Sequence, residues 1–556
     1  MPSPRHDLKS ALLRTTLVSA TIFLLASAAC AQTMKPVMLQ CESLTTPLGM
    51  DTKHPVLSWK IQDPRAAARQ TAYQIQIAST AALLAEGKAD IWNSGRIDSD
   101  DSRSVAYAGS ALQPSKRYYW RVVVWDQNGK AAAPSDASWW ETGLLDQKNW
   151  SAKWIGYEEP ELRQVRESGA VWITNSDTLA PSKDDKSRHD FRFAFELANS
   201  PRRALLYVTG QDSPGAWING QPVLESQPLP PWRQMPWKTY KVRDVSKTLR
   251  SGKNLLAIEI VRYDDNISQI PMNAVLYVET GDGKVELFKS GAQGWRAALN
   301  ANENWQTPEF NDTFWKTAIP YVLPPSDVEA SEMGFPWRTG AVKSLRRGFQ
   351  VTKPVTSARI YATALGAYEL SLNGKRIGDE ILAPGWMDFR QQVTYQTYDV
   401  TAELKTGQNA IAALLAPGWY STPLMWFQQG NNYGKTPPAL RAQLRIEYQD
   451  GAVELIPTDE KWKADISPIL SAEIYDGETY DARRLQAGWN TGSFNDHHWK
   501  PAEIVQSAEP EILWQYFPPI RRHQVLQAKS IKSPRPDVYV FDFGQNLSGE
   551  IGRAHV

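Results

Sequence analysis

Ala216-Trp217-Ile218-Asn219-Gly220 and Leu370-Ser371-Leu372-Asn373-Gly374 are two copies of one local pattern, an alternating stretch that runs into an Asn-Gly pair. Alternation with a period of two marks a strand, and Asn-Gly suits a tight hairpin because both residues tolerate left-handed backbone. Reading outward from the two copies, the matches continue in one order. Tyr240-Lys241-Val242-Arg243-Asp244-Val245 and then Gly252-Lys253-Asn254 answer to Tyr398-Asp399-Val400 and then Gly407-Gln408-Asn409. Asp282-Gly283 before a Val-Glu-Leu strand answers to Asp450-Gly451 before another, and Trp295 answers to Trp462. Phe310-Asn311-Asp312 with Trp315-Lys316 answers to Phe494-Asn495-Asp496 with Trp499-Lys500. Laid over residues 190–320 and 345–505, the repeat is too long and irregular for a solenoid unit. Each copy is therefore read as a complete jelly-roll sandwich of short strands.

Upstream, Val56-Leu57-Ser58-Trp59, Ala72-Tyr73-Gln74-Ile75-Gln76-Ile77 and Tyr118-Tyr119-Trp120-Arg121-Val122-Val123-Val124 keep the same period, with aromatic and β-branched residues. A tryptophan on an early strand and an aromatic-rich strand near the end resemble a fibronectin type III sandwich, while the repeat resembles the galactose-binding-like family. The expected architecture is all-β: a fibronectin type III-like domain over 36–145, jelly rolls over 159–323 and 336–508, and the incomplete start of a further β-sandwich over 509–556. Leu323-Pro324-Pro325 and Phe517-Pro518-Pro519 read as linkers, because proline removes a ladder donor.

Residues 1–31 carry a basic start (Arg5, Lys9, Arg14), an apolar run from Leu17 to Ala26 and small residues to Ala31, the layout of a secretory signal peptide. Ala29-Cys30-Ala31 favours cleavage before Gln32 over lipidation at Cys30, where Ser27 replaces the usual aliphatic residue. Export to the periplasm or the medium is expected. No later stretch approaches the roughly 18 apolar residues of a membrane span. Among 556 residues the 61 Lys and Arg nearly cancel the 60 Asp and Glu, without a long run of one sign, which argues against a nucleic-acid partner. Cleavage leaves Cys41 alone, so neither a disulfide nor a cysteine-based zinc site is expected.

Compact catalytic signatures are missing: there is no Gly-x-Ser-x-Gly, no His-Glu-x-x-His and no phosphate loop. His497 and His498 would point to opposite faces of an extended segment. Asp98, Asp100 and Asp101 read as a solvated loop tip in preference to a calcium site. Aromatic and acidic residues instead concentrate in the second repeat, at Ala383-Pro384-Gly385-Trp386-Met387-Asp388, Ala416-Pro417-Gly418-Trp419-Tyr420 and Asp476-Gly477-Glu478-Thr479-Tyr480-Asp481-Ala482-Arg483. Indole and phenol rings can stack on the C–H face of a sugar while carboxylates and arginine bond its hydroxyls. Trp386, Asp388, Trp419, Tyr420, Glu478, Tyr480, Asp481 and Arg483 are thus the candidate carbohydrate contacts. The competing reading of Pro-Gly-Trp is a turn whose indole plugs the end of the sandwich.

Those stretches, with Tyr395-Gln396-Thr397-Tyr398-Asp399-Val400-Thr401, Pro518-Pro519-Ile520-Arg521 and Val538-Tyr539-Val540-Phe541-Asp542-Phe543-Gly544-Gln545-Asn546, resemble the N-terminal region of bacterial α-L-rhamnosidases. The resemblance implies inverting removal of terminal L-rhamnose by carboxylates on an α/α barrel that follows the β domains. No such barrel is read in this sequence, so the chain is expected to be truncated before it, and no catalytic residue is assigned. The resemblance fixes no cofactor, and implies that a jelly-roll domain of this type can bind rhamnose with calcium in the site, without naming ligands. Expected partners are L-rhamnose and rhamnosylated glycosides or polysaccharides. A stand-alone rhamnose-binding protein and a purely structural scaffold are the alternatives.

Overall fold

The computed structural model describes residues 34–177, 187–227, 240–262, 270–321, 341–422, 433, 437–474, 477–506, 509–536 and 538–547. The signal peptide, Leu323-Pro324-Pro325, Tyr475-Asp476 and the last residues lie outside them. The chain divides into two units, one of residues up to 47, 54–111 and 117–140, the other of 48–53, 112–116 and 141–556.

In the first unit, strands Lys35–Cys41, Val56–Gln62 and Val105–Ala106 make one sheet, and Gln70–Ala78 with Arg117–Asp126 anchor the other. Arg117–Asp126 alternates between half-buried and buried at every residue, as the sequence period requires. Its buried face packs Trp120 edge-on against Trp140, and Trp59 donates its indole N–H to Gln70 Oε1 at 2.9 Å. A buried Trp N–H with a partner avoids the 1–3 kcal/mol or so that an unpaired polar group costs.

The second unit contains both jelly rolls, and their connectivity is nested. The first has one sheet ordered Lys241–Asp244, Pro201–Gly210, Met272–Thr280, Ile173–Thr174, Ile319–Pro320. The matching sheet of the second runs Gln392–Asp399, Val355–Leu365, Ala439–Tyr448, Ile155–Gly156, Glu503–Ile504. Ile155 therefore holds in the second the place that Ile173 holds in the first, although it precedes the entire first jelly roll in sequence. Ile155 pairs with Leu440 and Ile504 and sits in the second core; Ile173 pairs with Met272 and Pro320 and sits in the first. The first jelly roll is an insertion between the first and second strands of the other. At the far end, Glu511–Trp514 adds in parallel to Gln392–Asp399, so part of the 509–556 segment completes the second jelly roll. Ser530–Arg535 and Val538–Asp542 form a separate hairpin.

The repeat is explained by two buried devices present in both copies. Asn373, in left-handed backbone at φ +54°, donates to Asn409 Oδ1 at 2.7 Å and accepts from Ala410 N at 3.0 Å. Asn409 in turn donates to the carbonyls of Lys405 and Gly407. Asn219 (φ +52°) and Asn254 repeat every one of these bonds, with Leu255, Arg250 and Gly252. Near the other end of the repeat, buried Arg346 donates to the carbonyls of Trp489 and Thr491, pairs with Asp496 and lies over the Phe494 ring. Arg192 does the same with Thr307, Asp312 and Phe310.

Segments 48–53, 112–116 and 141–145, read from sequence as parts of the first sandwich, belong to the second unit. Tyr395 donates to Asp51 Oδ1 at 2.8 Å and accepts from Leu144 N at 3.2 Å; Arg359 clasps Glu141 at 2.5 and 2.9 Å; Tyr361 donates to Ser115 Oγ. A Cβ on Gly49 would fall 1.9 Å from Thr397 Oγ1, and one on Gly143 1.9 Å from the Tyr395 hydroxyl. Both approaches require glycine.

Asn373→Ala should destabilise the protein by about 1–3 kcal/mol, because Asn409 and Ala410 lose buried partners and alanine is strained at positive φ; Asn219→Ala should cost a similar amount. Denaturant midpoints at constant slope check this. Burial pushes the Asp190 carboxyl up to about 7, and burial with Arg262 pushes His189 down to about 4. Between pH 4 and 6.5 the folded state holds a proton on Asp190 that the unfolded state has lost, so that group lowers stability as pH rises, while neutral His189 raises it. Asp190→Asn removes the falling contribution, and thermal midpoints of that variant should climb from pH 4 to 6.5 more steeply than those of the natural chain.

Candidate functional site

The second jelly roll presents its aromatic loops at one end. Strand Gly407–Ala416 reaches that end at Leu415, level with Lys343, which is level with Ile466. Trp419 follows the first of these strands and the Glu478–Arg483 stretch follows the last. With strands about 4.8 Å apart, Leu415 and Ile466 lie roughly 10 Å apart. Both motifs therefore crown the same end without touching.

The Trp386 loop is pinned on both sides. Tyr368 N donates to Ala383 O at 2.9 Å, Thr394 Oγ1 to Pro384 O at 2.9 Å, and Ile381 N to Ile520 O at 2.8 Å. Gly385, at φ +100°, turns the loop so that Trp386 stands out, 49% exposed. Its ring stacks on Trp419, centroids 6.1 Å apart and planes 5° from parallel, and its N–H donates to the Tyr433 hydroxyl at 2.6 Å. Trp419 is placed by the short helix Gly418–Ser421, where Gly418 (φ +52°) is required because a Cβ would lie 2.8 Å from Ala367 Cβ.

Beside the two indoles is a pocket of about 210 Å³. Pro384, Phe517, Pro518, Pro519 and Ile520 supply apolar walls; Glu380 and Gln515 supply the polar groups. Glu380 accepts from Arg521 at 3.2 Å and from Asp379 N at 3.1 Å. Burial and the Glu380 carboxylate push the neighbouring Tyr398 phenol up, so it stays a donor. Gln515 donates to Phe517 O at 2.9 Å and accepts from Gln396, which itself accepts from Tyr368. The polar groups are thus held by a buried network and not by water alone.

The candidate residues fall into separate places. Trp386 and Trp419 share the pocket wall. Asp388 turns away to Arg390, whose guanidinium at 2.8 Å holds its carboxyl below the usual range. Tyr420 is a correction: at 2% exposure it lies in the core against Phe389, with no face left for a ligand. One helical residue step turns about 100°, so the turn that exposes Trp419 drives Tyr420 inward. Glu478 and Tyr480 lie on the hairpin Ile469–Glu473, Gly477–Tyr480, and Asp481 caps the turn Ala482–Arg484 while pairing with exposed Arg483 at 2.8 Å. None of these four lines the pocket.

Sequence reasoning missed Glu380 and Gln515, which stand outside the aromatic runs, and read Phe517-Pro518-Pro519 as a linker although it forms a wall. It also passed over the equivalent end of the first jelly roll, where Asn175, His189, Asp190, Asp212 and Arg262 are buried together. Among the described residues neither His189 nitrogen has a hydrogen-bond partner. The only available signal was a cluster of polar residues at strand ends.

Comparison with known proteins places these features in a family. Residues 353–524 match the family model described as alpha-L-rhamnosidase N-terminal domain, and residues 36–146 match the Rha78A-like N-terminal immunoglobulin domain. The first sandwich is therefore immunoglobulin-like, a two-sheet relative of the fibronectin type expected. An alpha-L-rhamnosidase of Streptomyces avermitilis is 37% identical over 524 residues, 92% of this chain and 48% of that protein. One from Formosa agariphila is 25% identical over 92% of this chain and 38% of its own length. The chain thus spans about half or less of the curated relatives it matches. The crystal structure of the Streptomyces avermitilis enzyme complexed with L-rhamnose superposes with a TM-score of 0.78 at 35% identity, over 93% of this chain and 49% of that one. The structure of the enzyme from Dictyoglumus thermophilum gives 0.57 at 25% identity, over 92% and 38%. Through its immunoglobulin-like domain and its second jelly roll, the chain belongs to the α-L-rhamnosidase family.

Proposed function

We propose that the chain is the non-catalytic, carbohydrate-binding and scaffolding portion of an exported α-L-rhamnosidase-type glycoside hydrolase. Its second jelly roll would hold L-rhamnose or a terminal rhamnosyl group in the pocket beside Trp386 and Trp419. The observation that supports this most directly is the pair of parallel, stacked indoles next to a fixed carboxylate and amide. A pyranose has an apolar C–H face and a rim of hydroxyls, and this pocket offers a partner for each. At about 210 Å³ it is smaller than the roughly 300–1,000 Å³ of drug-sized sites, which suits one sugar ring and not a chain.

Among the described residues no group of three or more His, Cys, Asp or Glu side chains converges as metal ligands, while calcium also takes carbonyl and amide oxygens. Among the described residues no helix is long and apolar enough to cross a membrane.

Isothermal calorimetry of L-rhamnose against the full chain tests the reading. Residues 511–520 must be kept, since they supply a strand and a wall. Saturable heat that weakens by roughly three- to tenfold in Trp386→Ala is expected from the loss of one stacking ring. No heat at millimolar sugar, from a chain with native circular dichroism, would leave the domains as scaffold only. Turnover of a chromogenic rhamnoside by the purified chain would overturn the non-catalytic assignment.

A further inference from the structure

The immunoglobulin-like domain carries an aromatic surface of its own, and we infer that it binds an acidic polysaccharide, a chain of sugar rings bearing carboxylates. The surface shares no residue with the indole pocket and does not depend on rhamnose binding there.

A sheet that faces water on one side normally sets apolar residues inward and polar residues outward. Strand Arg117–Asp126 keeps the alternation, but its outward, half-buried set is Arg117, Tyr119, Arg121, Val123 and Trp125. Beside it on Gln70–Ala78, Gln74 is level with Val123 and Gln76 with Arg121. Trp139 joins the same face, half-buried, because its neighbour Trp140 turns inward and stacks on Tyr118.

Rings and guanidiniums are combined on this face. Arg117 lies over the Trp139 ring at 3.9 Å, and Arg96 over the Trp125 ring at 5.1 Å. Arg121 donates from Nε to Gln76 Oε1 at 2.8 Å, and Gln74 donates to Asn93 Oδ1 at 2.8 Å. Stacking uses the flat side of a guanidinium and leaves its N–H edge for a carboxylate, which it meets through two parallel bonds.

Acidic groups are held off the face. None stands at the outward positions of Gln70–Ala78 or Arg117–Asp126. Asp98 and Glu86 flank it, and both are paired, with Arg96 at 3.0 Å and Lys88 at 2.8 Å. Asp100 and Asp101 come where the chain has crossed to the other sheet, with Ser102 O accepting from Trp59 N at 2.9 Å. Glu141, farther along the Trp139 strand, is buried and clasped by Arg359. Arg121 bonds a neutral amide and so carries its charge onto the face. That charge attracts an anion and opposes a second copy, which would set Arg121 against Arg121.

The spacing of the rings selects among anions. A protein partner needs a contiguous apolar centre, whereas here Arg121, Gln74 and Gln76 separate Trp125 from Trp139. A small inorganic anion would use the arginines and leave the indoles idle, and a neutral sugar would use the indoles alone. A sugar ring with a carboxylate uses both. Arg117 and Trp125 are eight residues apart on one strand, or about 27 Å, a span for several linked sugars.

The full chain is titrated with polygalacturonate and with alginate, two uronate polymers, with neutral dextran and dextran sulfate as comparisons. Binding to at least one uronate polymer and not to dextran is expected. It should weaken threefold or more in Arg121→Gln and in Trp125→Ala, stay unchanged in Trp386→Ala, and decline as salt is added. No binding to either uronate polymer, or binding indifferent to Arg121→Gln or to Trp125→Ala, would overturn the inference. Dextran sulfate binding as tightly would reduce the face to a general polyanion surface and overturn the assignment to uronates. A dimer in light scattering that Trp125→Ala dissolves would give the face to self-association and overturn it as well. Native circular dichroism of each variant excludes unfolding as the cause.

Discussion

The pairing of Ile155 with Leu440 and Ile504 is the constraint on which the second unit depends. It makes a strand that precedes the first jelly roll an interior member of the second one's sheet. The second sandwich therefore cannot close until the chain has passed through the whole inserted domain. The contact costs closure of a loop of nearly three hundred residues, but loop entropy grows only logarithmically, so the insertion is thermodynamically tolerable. What it demands is that the insert bury its own core. The first jelly roll does so, with Phe191, Leu206, Ile258 and Trp295 in a cluster of its own.

The same constraint explains where the polar bolts lie. Helix Pro160–Glu167 lies in the connection between the borrowed strand and the insert, and its flank carries Glu158, Glu159 and Glu161. Buried Glu159 accepts from Lys343 at 2.8 Å and from Ala341 N, on the second jelly roll; Glu161 meets Arg203 at 2.6 Å, on the first. Glu503 takes Arg163 through both oxygens. Of these only Lys343–Glu159 is buried on both sides, so breaking it strands a charge and it fixes docking register, whereas the more exposed Arg203–Glu161 and Arg163–Glu503 pairs add little.

How much of this was legible follows from its range in sequence. The strands were legible because a half-buried strand writes its period into consecutive residues, as Arg117–Asp126 does. The repeat was legible because Asn219 and Asn373 cannot be exchanged for most residues: each needs left-handed backbone and a buried amide together. The nesting was not legible, although Trp154-Ile155-Gly156 and Trp172-Ile173-Thr174 are visibly alike, because nothing local states which sheet a two-residue strand joins. The site was half legible. Indoles next to Pro-Gly announced themselves, whereas Glu380 and Gln515 acquire their meaning from Arg521, Gln396 and Tyr398, which only the fold brings near. Tyr420 failed for a local reason, since a single helical step of about 100° separates it from Trp419.

The repeat also explains why the two equivalent ends do different chemistry. The register that aligns Asn219 with Asn373 and Arg192 with Arg346 aligns His189 with Lys343, Asp190 with Ser344 and Arg262 with Pro417. In the first jelly roll the end is lined with buried groups whose charge state changes near and below neutrality. In the second, the cation at the corresponding position is neutralised by Glu159, and the strand end continues into Gly418 and the half-buried Trp419 indole, which stacks on exposed Trp386. Both copies carry the devices that hold the sandwich shut, the asparagine pair and the buried arginine, and a change in either strands several polar groups at once. The strand ends share no such bond set: His189 and Lys343, and Asp190 and Ser344, hold the same positions with different chemistry. The first copy places titratable groups at this end and the second places flat apolar rings, whose stacking does not depend on proton activity.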